Sequence, residues 1–129
     1  NNYNIVVLEY LLSHFPPQNR ANWASELFDG LLQNVLPNRL DKSPFLFLIN
    51  DIDHFQVRDC FDMLLQKLSD EGYHGSYKRK HFSNRSRDYN DGSTQYSAWN
   101  NKFPIPETIK ENFNCAINCT SAQLIVEVQ

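Results

Sequence analysis

The stretch Pro44-Phe45-Leu46-Phe47-Leu48-Ile49-Asn50-Asp51-Ile52-Asp53-His54-Phe55 decides how the rest of the chain is read. Five consecutive apolar residues, Phe45 to Ile49, follow a proline and run directly into polar and acidic groups. That is the pattern of a fully buried strand that delivers side chains to the end of a sheet. Two readings of the acids stand side by side. In the first, Asp51 and Asp53 solvate the strand exit, and Asp53 caps a helix that begins near Phe55. In the second, Asp51 holds a hard cation such as magnesium, because α/β proteins place their sites at the C-terminal ends of buried strands.

Outward from this strand the pattern alternates between strand and helix. Upstream, Tyr3 to Val7 reads as a short strand, and Leu8, Leu11, Leu12 and Phe15 fall at helical spacing before Pro16-Pro17 stops the turn. A longer helix follows Asn22 as N-cap and places Trp23, Leu27, Phe28, Leu31, Leu32 and Val35 on one face, ending at Pro37. Downstream, Val57, Cys60, Phe61, Leu64, Leu65 and Leu68 form the apolar face of a second helix, with Gly72 just past its end. Gly72 to Tyr77 reads as a strand entering a basic loop, which Asn90-Asp91-Gly92 closes with a tight turn. Ser93 to Trp99 is expected to return as a strand, and Ala122 to Val128 to form the last one. The order predicts an α/β fold, with parallel pairing early and antiparallel pairing later.

The chain has 129 residues, 41% hydrophobic and 21% charged, with a net charge of -3, enough for one domain with a core and too little for two. No apolar run reaches the roughly 18 residues of a membrane span, and no basic-then-apolar leader opens the chain, so an intracellular, cytoplasmic protein is expected. Cys60, Cys115 and Cys119 lack zinc spacing, and Cys60 falls on the apolar face of the second helix as a small core residue. Asn84-Arg85-Ser86 and Asn118-Cys119-Thr120 match the glycosylation triplet and are read as coincidence. Lys78, Arg79, Lys80, Arg85 and Arg87 crowd into ten positions, with His81, Phe82, Tyr77 and Tyr89 among or beside them. Cations interleaved with rings suit single-stranded nucleic acid, where the cations take phosphates and the rings stack on bases. A solvated charged loop fits the same residues.

Several segments together resemble one family. Leu48-Ile49-Asn50-Asp51-Ile52-Asp53-His54-Phe55 is similar to the Cys-Leu-Gln-Glu-Val-Asp-His/Arg-Phe signature of the endonuclease/exonuclease/phosphatase superfamily, in its carbon catabolite repressor type deadenylases and their nocturnin and angel relatives. Tyr3-Asn4-Ile5 resembles the Ser-Tyr-Asn-Ile/Val-Leu that opens that domain. Gly72-Tyr73-His74-Gly75-Ser76-Tyr77-Lys78-Arg79-Lys80 resembles Gly-Tyr-x-Gly-x-Tyr-Lys-x-Arg, Asp91-Gly92 the Asp-Gly-Cys-Ala turn, and Ala122-Gln123-Leu124 the Ala-Gln of a later strand.

The resemblance implies that residues 1–129 form a single, partial DNase I-like α/β sandwich, the N-terminal half of a magnesium-dependent 3′-5′ exoribonuclease that removes poly(A) in mRNA decay. It implies Asn4 and Asp51 as active-site residues, Asp51 as the magnesium ligand, and Lys78, Arg79, Lys80, Arg85 and Arg87 along the RNA. Aspartate stands where the family has glutamate, and the Gly-Asp-Phe-Asn and Ser-Asp-His motifs have no counterpart, so the chain alone is expected to be inactive. The other readings are a non-catalytic interaction or RNA-binding relic of that fold and an unrelated α/β domain. Half a sandwich leaves one sheet face for a protein partner or a second copy to cover.

Overall fold

The computed structural model describes residues 4–40, 43–82, 105–114 and 121–129. In chain order its elements are β1 (Ile5–Glu9), α1 (Arg20–Asn34), β2 (Phe45–Ile52), α2 (Phe55–Asp70), β3 (Gly75–Phe82), α3 (Glu107–Asn112) and β4 (Ser121–Val128), with 3-10 turns at Leu12–His14 and Leu36–Asn38. The strands make a four-stranded sheet in the order β1-β2-β4-β3, with β1 parallel to β2 and the other two pairings antiparallel. The fold is α/β, and the expected change from parallel to antiparallel pairing is present.

Strand parity divides the sheet into two unlike faces. Phe45, Phe47, Ile49 and Asp51 of β2 point the same way as Ala122, Leu124, Val126 and Val128 of β4, and all are buried. Against them lie Ala24, Phe28 and Leu32 of α1, and Val57, Cys60, Phe61, Leu64 and Leu68 of α2, in one continuous core. The other face carries Ile5, Val7, Leu46, Leu48 and Ile125, and among the described residues no element covers it: Ile5 is 57% and Val7 55% exposed. Among the described residues no helix is long and apolar enough to cross a membrane.

Several boundaries differ from the sequence expectation, each for a local reason. The first strand runs on through Leu8 and Glu9, which pair with Ile49 and Asn50, so the expected helix there shrinks to one 3-10 turn. Tyr10 ends the strand in a left-handed conformation, φ 51°, while its N–H donates to the Asn50 carbonyl at 2.8 Å. Helix α1 starts at Arg20 rather than after Asn22, because the turn from the Pro16 carbonyl to the Asn19 N–H (2.9 Å) already sets its first residues. The buried row of α1 is Arg20, Ala24, Phe28 and Leu32, so Trp23 stands beside it, 45% exposed, with its ring edge-on to Phe15 at 5.7 Å.

Helix α2 matches its expected face. The Tyr73 N–H reaches the Leu68 carbonyl (2.9 Å) and the Gly72 N–H reaches that of Ser69 (3.0 Å), a Schellman ending that needs the positive φ of Gly72. Strand β3 extends to Phe82, so Lys78, Arg79 and Lys80 lie on a strand and not in a loop. Helix α3 had no periodic signal in the sequence. The Asn90-Asp91-Gly92 turn, the Ser93 to Trp99 strand, Cys115 and Cys119 lie outside the described residues.

Candidate functional site

Asp51 closes the buried row of β2 and is fully enclosed. Its Oδ1 accepts from the Ile52 N–H at 2.7 Å, and its Oδ2 accepts from the Ser13 N–H at 3.2 Å. The carboxylate thus holds the 3-10 turn Leu12–His14 against the end of the sheet. Arg20, also buried, grips that turn from the other side: its Nε donates to the Leu12 carbonyl and one terminal nitrogen to those of Ser13 and Phe15, each at 3.0 Å. Its remaining nitrogen donates to Gln56 Oε1 at 2.5 Å, which ties the turn to α2. A guanidinium with its donors satisfied tolerates burial that an unpartnered one would not.

Asp53 does not cap α2. His54 occupies the N-cap, its Nδ1 accepting from the Gln56 N–H at 3.3 Å, while Asp53 pairs with Arg58 at 2.5 Å. The imidazole takes the capping role because its backbone is extended where the helix starts.

Asn4 stands at the other end of the sheet. Its Nδ2 donates to the Pro44 carbonyl (3.3 Å) and its Oδ1 accepts from the Leu40 N–H (3.4 Å), so it fastens the segment that enters β2. The neighbouring pair Ile5 and Leu46 sets Asn4 beside the start of β2, whereas Asp51 lies near its end. At roughly 3.3 Å of rise per residue, the two are about 20 Å apart. The fold does not bring them into one site.

A magnesium ion demands near-octahedral oxygen ligands at about 2.0–2.1 Å and keeps several waters. Asp51 is sealed from water with both oxygens engaged, and among the described residues no group of three or more His, Cys, Asp and Glu side chains is placed to hold a metal. The described surroundings of Asp51 therefore do not fit that ion.

Strand parity also separates the cations. Lys78 and Lys80 pair with Ile125 and Gln123 on the open face, Lys78 exposed and Lys80 half-buried. Arg79 points to the helix side, where it is buried and ion-paired with Asp62 of α2. Arg85 and Arg87 lie outside the described residues. A cleft of about 120 Å³, lined in part by Leu65, Leu68, Tyr73 and Tyr77, sits at the sheet end remote from Asp51 and is smaller than the roughly 300 Å³ at which ligand pockets begin.

Sequence reasoning missed two features. One is Arg20, whose partners are carbonyls at distances no pattern encodes. The other is a polar row across the open face, Glu9, Asn50, Gln123 and Lys80, paired strand to strand. In it Gln123 Nε2 donates to Asn50 Oδ1 at 3.3 Å and Asn50 Nδ2 donates to Glu9 Oε1 at 3.5 Å. Cys60 behaves as the sequence indicated: burial pushes its thiol from 9.0 up to about 11, partly offset by the Arg20 guanidinium. No family model, curated protein or solved structure matches the chain.

Proposed function

We propose that the described fold works as a non-catalytic docking module, built like one layer of a two-sheet sandwich and resembling the N-terminal half of a DNase I-like exoribonuclease. One observation carries this reading. The sheet buries Asp51 inside and, among the described residues, turns an apolar patch of Ile5, Val7, Leu46, Leu48 and Ile125 outward. Among the described residues the arrangement offers surface to a partner and no assembled chemistry. Exposed contiguous apolar patches of this kind mark interaction sites.

A second reading is favoured by Lys78 and Lys80 on the same face: single-stranded RNA follows β3 with its phosphates on the two ammonium groups. The two readings and the catalytic one separate in solution. On end-labelled oligo(A), with magnesium or a chelator, the chain is expected to leave the 3′ end intact. Magnesium-dependent trimming that Asp51→Ala abolishes would overturn the non-catalytic reading. If RNA is bound at Lys78 and Lys80, their joint change to Glu lowers the salt slope of oligo(A) binding by about 1.4, two single-strand phosphate contacts.

The docking surface itself is tested with Val7→Cys in a Cys115→Ser/Cys119→Ser background. At nanomolar protein the new thiol should react with a maleimide nearly as fast as in urea. Protection at every dilution would mean that the chain covers its own face, and the reading would fall.

A further inference from the structure

We draw no further inference here: the strongest candidate, the apolar patch of Ile5, Val7, Leu46, Leu48 and Ile125 on the sheet face opposite helices α1 and α2, is bare only among the described residues, and nothing in the structure shows what covers it.

Discussion

Asp51 illustrates how one side chain accepts different assignments until its partners are known. At the end of a buried strand a carboxylate is either a site residue or a structural anchor, and hydrogen bonds from Ser13 and Ile52 describe an anchor. Asp51→Ala would leave two amide donors without their acceptor, and a loss of about 1–3 kcal/mol in urea unfolding is expected. Asp51→Asn keeps one carbonyl acceptor and should lose less, and a chelator should leave the wild-type transition unmoved. Cys60 adds a pH dependence. Because burial raises its folded value to about 11, the unfolded thiol ionises first, starting near 9.0. Stability from this group is complete below that pH and declines as the pH rises towards about 11. Melting curves from pH 8 to pH 11 should therefore fall less steeply for Cys60→Ala than for the wild type. Cys60 itself was legible in the sequence, since helical spacing placed it with Val57, Phe61 and Leu64.

At the level of elements, β3 carries the main change from expectation. From Lys78 on, its sequence of several cations in a row reads as a loop, yet pairing with β4 along its full length carries the strand through to Phe82. The pairing decides which cations face outward, and local sequence does not encode it. Close approach to β4 fixes one position in particular. A Cβ on Gly75 would overlap the Glu127 carbonyl of β4, a backbone atom that cannot step aside. Gly75→Ala should therefore push the β3 edge off the sheet and cost about 1–3 kcal/mol, with faster amide exchange along β3 as its signature. Helices α1 and α2 were easier to read, because a 3.6-residue period is local. The start of α1 was missed because the Pro16–Asn19 turn, and no side-chain cap, sets it.

At the scale of the molecule, the described residues pack one side of the sheet and leave the other bare. Helices α1 and α2 cover the same face, so the stability of the described fold rests on one core in which Phe28, Phe45, Phe47 and Phe61 are the largest buried residues. The face left uncovered by the described residues is where the proposed docking operates. Much of this was in the sequence: the central strand, the two amphipathic helices, the α/β order and most core residues follow from local apolar periodicity. Tertiary structure alone decided that Asn4 and Asp51 stand at opposite ends of β2, that Arg79 parts from Lys78 and Lys80, that Arg20 shares a turn with Asp51, and that Glu9 and Lys80 end one row. The physical reason is range. A repeat of two or 3.6 residues is written in neighbouring positions, whereas strand order, register and the partners of a buried charge are set by contacts between segments tens of residues apart.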